Sequence, residues 1–119
     1  MDTGRIKMEN YNGILYCEAY MEDEFMLSDL ESMREEIRKN FGSYSDVILK
    51  KVGSYSVSID AQMTLWKGIP EFRNFVYVAD EIRKRESAVY AAANYMKAYN
   101  TQVANTKEEA YAMLQDLQA

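Results

Sequence analysis

Three serines lie close together near the middle of the chain, at Ser54, Ser56 and Ser58. Serine hydroxyls can accept a phosphoryl group, which makes all three candidate phosphoacceptors. A phosphate on Ser58 would lie at the start of a predicted helix, where free amides and the helix dipole favour an anion, but the carboxylate of Asp60 opposes it. In the alternative interpretation, Ser58 is a helix N-cap and the other two are loop hydroxyls. We expect that phosphorylation is not the dominant control of this protein.

A basic cluster, Arg83, Lys84 and Arg85, follows the predicted carboxyl end of a buried strand. Open α/β sheets often bind ligands at that edge. The cluster is therefore a candidate contact for an anion or for an acidic partner. The alternative is that three basic residues at an exposed turn are simply solvated.

Catalytic chemistry has little support in this sequence. The chain has no histidine, and its single cysteine, Cys17, falls on the apolar face of a predicted strand with no imidazole to activate it. None of the five glycines belongs to a phosphate-binding loop or a nucleophile elbow. The acidic run 22–24 lacks the spaced ligands of a calcium loop. We expect a non-enzymatic protein with no catalytic residues, no cofactor and no metal site.

Charge and hydropathy restrict the partners and the compartment. Fourteen Lys and Arg against 19 Asp and Glu give a net charge of −5, which repels nucleic acid and anionic membranes. No apolar run approaches the roughly 18 residues that cross a bilayer, and the first residues do not resemble a signal peptide. With a single thiol, these features predict a cytoplasmic protein that neither binds nucleic acid nor inserts into a membrane.

Strands and helices alternate along the chain and must position the candidate residues. Alternating apolar residues in 6–8 and 15–19, joined by a turn, predict an antiparallel hairpin. Segments 46–49 and 74–79 are typical of buried strands, and 101–104 follows as a short strand. Helical stretches separate these strands, and such short connections imply parallel pairs. The predicted order is β-β-α-β-α-β-α-β-α.

Capping residues predict where two of the helices begin. Ser28 and Glu31 have the spacing of a capping box, which predicts the start of the first helix at Ser28. Thr106 and Glu109 have the same spacing before the last helix.

Periodicity predicts which helix faces turn inward. In the second helix the inner stripe is expected to be Ile59, Met63 and Trp66. The third helix is expected to extend to about Asn100. Its inner side is expected to consist of Val89, Ala92, Ala93 and Met96.

The strand at 74–79, the long helix after it and the segment 103–114 together resemble the small STAS-like domains. That group includes bacterial anti-sigma-factor antagonists and the cytoplasmic domains of sulfate transporters. The likeness covers most of residues 5–118 and is greatest to stand-alone bacterial domains of unassigned function. It implies one α/β domain over residues 1–119, a mixed sheet of about five strands packed by helices. A flavodoxin-like sheet, which would lack the opening hairpin, is the alternative.

The resemblance implies a non-enzymatic regulatory or protein-interaction module. Phosphorylated antagonists carry an Asp-Ser-Ser-Gly-like motif before the second helix, whereas residues 53–60 of this chain contain serines without that motif. The alternative function is a domain that binds a small anionic or lipid-like ligand in the crevice near residues 83–85.

Ten tyrosines and eight methionines exceed what one small core needs. Tyr16 and Tyr20 share the strand face opposite Leu15 and Cys17, and they stay exposed if helices cover only one side of the hairpin. Tyrosine is enriched at protein interfaces, so these two residues are the candidate contacts of a homodimer. The alternative is that the rings shield the edge of the sheet.

Overall fold

The computed structural model describes residues 1–118. Its seven strands are β1 (Ile6–Tyr11), β2 (Ile14–Ala19), β3 (Glu24–Phe25), β4 (Ser45–Lys51), β5 (Ser56–Val57), β6 (Phe72–Val78) and β7 (Asn100–Ala104). Its four helices are α1 (Leu27–Asn40), α2 (Ile59–Lys67), α3 (Ile82–Ala93) and α4 (Lys107–Gln118).

Five strands form one mixed sheet in the order β1-β2-β4-β6-β7. β1 and β2 are antiparallel, and the three remaining pairs are parallel. The predicted five-stranded α/β architecture is therefore confirmed, and the opening hairpin excludes the flavodoxin-like alternative. No pattern in the sequence indicates the separate two-stranded sheet in which β3 pairs parallel with β5.

The hairpin turns at two residues with positive φ, Asn12 at 53° and Gly13 at 86°. A two-residue turn of this kind matches the twist of the flanking strands, and Asn-Gly is the pair that adopts it most readily. The side chain of Asn10 also accepts a hydrogen bond from the Gly13 amide at 2.8 Å. The local sequence therefore sets the register of the hairpin.

Helices cover the two sides of the sheet unequally. α1, α2 and α3 pack on one side over the main core, which includes Leu15, Cys17, Val47 and Phe75. α4 alone packs on the other side, over a smaller core around Val76. Consecutive residues of β4 and β6 alternate between these two cores, which explains why both strands are almost continuously apolar.

The first helix begins earlier than the capping box predicted. Its N-cap is Met26, and Ser28 lies in the first turn. The carboxylate of Asp29 reaches back to accept a hydrogen bond from the Met26 amide at 2.8 Å. Asp29 is buried because Arg5 pairs with it at 3.0 Å, a contact from a distant part of the chain that local spacing could not reveal.

The prediction for the inner face of α2 was wrong. Ile59, Met63 and Trp66 are 74%, 53% and 66% exposed, whereas Ala61 and Leu65 are buried. Both sets have helical spacing, so periodicity alone does not decide which side packs on the sheet. The orientation follows from tertiary anchoring of the helix start, where the backbone amide of residue 58 donates to the Phe25 carbonyl at 2.9 Å.

The third helix also differs from its prediction. It ends at Ala93, and Val89 is exposed, while Ala88 and Ala91 face the core. Small residues on this side let the helix approach the sheet closely. Met96 is buried as expected, but it lies in the irregular segment after the helix.

The start of α4 follows the predicted pattern. The hydroxyl of Thr106 accepts a hydrogen bond from the Glu109 amide at 3.1 Å. The Glu109 carboxylate accepts a hydrogen bond from the Asn105 amide at 3.3 Å, whereas a capping box would use the amide of Thr106, the next residue.

Candidate functional site

A basic cleft of about 250 Å³ lies where β4 ends and α3 begins. We use the name basic cleft for the space lined by Lys51, the loop 53–55, Arg83, Lys84 and Ser87. Among the described residues, this lining carries three positive charges and no carboxylate. The cleft is at the carboxyl edge of the parallel strands, as predicted for a ligand site in an α/β sheet.

Lys51 is the residue that distinguishes this cleft. It is the last residue of β4, and strand alternation places it on the same side of the sheet as Val47 and Leu49. Only 6% of Lys51 is exposed. No carboxylate of residues 1–118 forms an ion pair with it. Its ammonium instead lies over two aromatic rings, 4.0 Å from the centroid of Tyr55 and 5.6 Å from that of Tyr77.

Burial affects the protonation of Lys51. Removal from water disfavours the charged form, and the nearby positive charge of Lys84 acts in the same direction. Together they lower the pKa of Lys51 to about 8. A lysine held partly neutral and without a counter-ion is the group in this cleft that gains most from an incoming anion.

Tyr55 forms the wall between the basic cleft and the main core. Its hydroxyl is the only buried side-chain nitrogen or oxygen of residues 1–118 that has no hydrogen-bond partner. Burial raises the pKa of Tyr55, so the hydroxyl stays protonated and available as a donor. Behind it lies an apolar void of about 10 Å³, also lined by Lys51, Leu49 and Phe75, which has room for about one water molecule.

The cluster at 83–85 divides between two roles. Arg83 and Lys84 line the basic cleft and stay candidates for an anion contact. Lys84 also donates to the Val52 carbonyl at 2.7 Å and pairs at 3.4 Å with the largely exposed Glu81. Arg85 points elsewhere and donates to the Ala79 carbonyl and the Asn105 side chain, so it ties the ends of β6 and β7 together.

Gly53 holds the cleft loop against the end of β2. Its amide donates to the Ala19 carbonyl at 3.0 Å. A Cβ at this position would lie 2.0 Å from the Met21 carbonyl oxygen and 2.8 Å from the Tyr20 carbonyl. Only glycine allows this close approach, which positions the following residues, including Tyr55, beside Lys51.

The three candidate serines are not equivalent. Ser54 is exposed and lines the basic cleft. Ser56 is exposed on β5. Ser58 is the N-cap of α2, where its hydroxyl accepts a hydrogen bond from the Ala61 amide at 3.2 Å. Of the three, only Ser54 shares a site with the cations Arg83 and Lys84.

A second cleft, of about 420 Å³, lies on the α4 side of the sheet. Its lining includes three lysines, Lys7, Lys50 and Lys107, together with four acidic residues. Several of these groups satisfy one another; Lys107 pairs with Glu9 at 3.3 Å, and the Tyr16 hydroxyl donates to Glu18 at 2.8 Å. Charges of both signs make it a less selective anion site than the basic cleft.

Tyr16 does not have the exposure that the dimer hypothesis required. Only 4% of it is exposed, because α4 covers that side of the hairpin and the ammonium of Lys107 lies 4.1 Å from its ring centroid. Tyr20 remains partly exposed, and its hydroxyl donates to Asp2 at 2.6 Å. The proposed tyrosine contact therefore loses one of its two members.

Cys17 is fully buried, which raises the pKa of its thiol and makes it unreactive.

The sequence pattern indicates Arg83 and Lys84 but not Lys51 and Tyr55. Lys51 ends a run of two lysines after an apolar strand, a pattern typical of a solvated strand end. Continuing the alternation from Val47 and Leu49 would have placed Lys51 on the core side, and this is the signal that could have found it.

Residues 1–118 contain neither a candidate membrane span nor a candidate metal site. No helix in this part of the chain is long and apolar enough to cross a membrane. No group of three or more cysteine and acidic side chains in it is arranged to hold a metal ion.

Comparisons with known proteins support the fold. No protein-family model matches the sequence, and no curated protein matches it significantly. Among solved structures, it is similar to the crystal structure of an uncharacterized protein of the DUF3478 family with a SpoIIAA-like fold, from Shewanella loihica PV-4. The TM-score is 0.59 at 14% sequence identity, and the match covers 92% of this chain and 91% of that chain. This chain therefore has the SpoIIAA-like, or STAS-like, α/β fold that the sequence resemblance implied.

Proposed function

We propose that this chain is a non-enzymatic binding module and that the basic cleft takes a small anionic ligand. The observation that carries the proposal is Lys51, a buried cation without a carboxylate partner among residues 1–118, in a cleft shared with Arg83 and Lys84. A buried charge without a partner is costly, and a bound carboxylate or phosphate supplies the missing counter-charge. The cleft volume of about 250 Å³ suits a small metabolite.

The cleft attracts anions in spite of the net charge of −5. Charges separated by more than about 10 Å are largely screened at physiological salt, so groups close to the cleft matter most. These are the three lining cations, Glu22, which accepts from the Ser54 amide at 3.0 Å, and Glu81. Glu81 is the acidic residue paired with Lys84, and its side chain is 66% exposed, which leaves it free to turn into solvent when an anion binds.

Thermal-shift and calorimetric titrations with inorganic phosphate and with small carboxylates test the proposal. A ligand at about 100 times its Kd should stabilise the chain by roughly 2.7 kcal/mol. The variant Lys51→Met should lose this stabilisation. The variant Lys50→Met, which removes the neighbouring lysine on the opposite side of the sheet, should retain it. Equal anion binding by both variants would refute the assignment of the cleft.

A second candidate function is a regulatory protein-interaction module, which the STAS-like fold and one further observation favour. The further observation is the outward-facing stripe on α2 formed by Ile59, Met63 and Trp66. Exposed apolar residues that align on one face of a helix often form a surface that contacts a partner. The interface residues are therefore expected on α2, whereas the sequence pointed to the β1–β2 hairpin.

Trp66 provides a direct test of this second function because it is the only tryptophan in the chain. Its fluorescence should report solvent exposure in the isolated protein. If the stripe mediates homodimerization, emission should shift to shorter wavelength as concentration rises, and light scattering should approach twice 13.8 kDa. The variant Met63→Ser should suppress both changes. A monomer with unchanged emission across the micromolar range would exclude this self-association.

A further inference from the structure

Three features of the basic cleft meet at the side-chain nitrogen of Lys51. First, Lys51 forms part of the lining of the cleft. Second, the nitrogen forms neither an ion pair nor a hydrogen bond with any of the described residues and lies over the rings of Tyr55 and Tyr77. Third, two further cations, Arg83 and Lys84, line the same cleft.

We propose that Lys51 is a nucleophilic amine that forms a reversible imine with a small aldehyde or ketone bearing a carboxylate or phosphate group. This inference rests on the proposed anion-binding function, because the anionic group is held by Arg83 and Lys84 while the carbonyl carbon reaches Lys51. It adds a class of ligand and a covalent mode of binding.

The chemical step needs no oxidant or reductant. The lone pair of the Lys51 nitrogen forms a bond to the carbonyl carbon, and the C=O π electrons move to oxygen, which takes a proton. The nitrogen then loses a proton, and the hydroxyl group takes a proton and leaves as water while the nitrogen lone pair forms the C=N bond of an iminium ion. The iminium nitrogen loses its remaining proton to water, which gives the imine. Water supplies the protons, and Tyr55, which lines the same cleft and has an unpartnered hydroxyl, is a second donor.

The surroundings of Lys51 favour its neutral, reactive form. The groups that face it are Lys84 and Arg83 from α3, Tyr77 from β6 and Tyr55 from the loop after β4. Glu81 pairs with Lys84 at 3.4 Å and Glu22 accepts a hydrogen bond from the Ser54 amide at 3.0 Å, but neither carboxylate forms an ion pair with Lys51. At pH 8 about half of the Lys51 side chains are neutral, whereas an ordinary exposed lysine with a pKa near 10.5 is about 0.3% neutral.

Reductive trapping with glyoxylate tests the inference. Glyoxylate is an aldehyde that carries a carboxylate, and sodium cyanoborohydride reduces its imine to a stable secondary amine. Peptide mapping after a short reaction at pH 8 should show a carboxymethyl group on Lys51 at least about tenfold more often than on the adjacent Lys50. Propanal, which has no anionic group, should modify Lys51 at least about tenfold more slowly than glyoxylate.

Two variants separate this inference from the proposed function. Lys51→Arg removes the primary amine and should lose the adduct at position 51, and titration of the same variant with inorganic phosphate reports on the anion site separately. Tyr55→Phe keeps the ring and removes the hydroxyl, so it should slow trapping without abolishing phosphate binding.

The outcomes distinguish the two proposals. Preferential trapping at Lys51 that inorganic phosphate suppresses would support both. Stabilisation by phosphate together with equal trapping at Lys51 and Lys50 would overturn the imine and leave the anion site standing. Trapping at Lys51 that is equally fast with propanal and insensitive to phosphate would overturn the anionic-carbonyl assignment and the proposed function together.

Discussion

The ammonium of Lys51 lies 4.0 Å from the centroid of the Tyr55 ring, and this pair separates the basic cleft from the main core. The ring face offers partial negative charge to the cation without the full charge of a carboxylate. The contact therefore keeps Lys51 in place while leaving its charge available to an anion that enters from solvent.

The unfolding free energy should depend on pH through Lys51. Its pKa is about 8 in the folded chain and 10.5 as the ordinary value, so between these limits the unfolded state binds the proton more readily. The free energy of unfolding should therefore rise with pH from about 8 to 10.5. Below about pH 8 the fold bears the full cost of burying the charged Lys51 side chain, at most about 3 kcal/mol. Lys51→Met removes this penalty and should be more stable than the parent at pH 7.

Urea denaturation of the parent and Lys51→Met between pH 7 and 10 measures this effect. The advantage of the variant should shrink as pH rises, while Lys50→Met should show no comparable trend. A Lys51→Met variant that is less stable at pH 7 would show that the cation stabilises the fold and that its burial is structural.

Replacing Tyr55 by phenylalanine should stabilise the protein by about 1 kcal/mol. The change removes a buried hydroxyl that lacks a hydrogen-bond partner but keeps the ring beneath Lys51. Thermal denaturation measures the difference, and Tyr99→Phe is the matched control. The Tyr99 hydroxyl donates to the Leu65 carbonyl at 2.9 Å, so its loss should destabilise the fold. Equal effects of the two changes would contradict the prediction.

Gly53→Ala should destabilise the fold by about 1–3 kcal/mol or more, because the added methyl group overlaps backbone atoms that cannot easily move. The change should also weaken phosphate binding, since this loop carries residues of the basic cleft. Ser54→Ala, one residue along the exposed loop, should alter stability by no more than about 0.5 kcal/mol. Chemical denaturation compares the two variants, and similar stabilities would show that the loop adapts.

Truncation of two adjacent residues of α2 should destabilise the fold to very different extents. Leu65→Ala removes a buried side chain and should cost about 2–5 kcal/mol, whereas Trp66→Ala should cost no more than about 0.5 kcal/mol because the ring is mostly in solvent. Circular dichroism during urea titration measures both. A larger loss of stability in Trp66→Ala than in Leu65→Ala would instead support the helix orientation that periodicity predicted.

Local interactions explain why part of the fold could be predicted from the sequence. The hairpin depends on an Asn-Gly pair that adopts positive φ, and the start of α4 depends on a hydroxyl three residues from the amide it caps. The parallel order of the later strands follows from the short helical connections between them. In each case the residues that determine the structure are close together in the chain.

The inward face of α2 and the burial of Lys51 were decided by tertiary structure. Periodicity assigns Leu65 and Trp66 to different sides of one helix, but only the anchoring of the helix start determines which side meets the sheet. Lys51 ends a run of two basic residues. It belongs to a candidate anion site because the Gly53 loop and α3 line the same cleft. Residues distant in sequence create that environment, so its effect on the charge of Lys51 could not be seen in the chain alone.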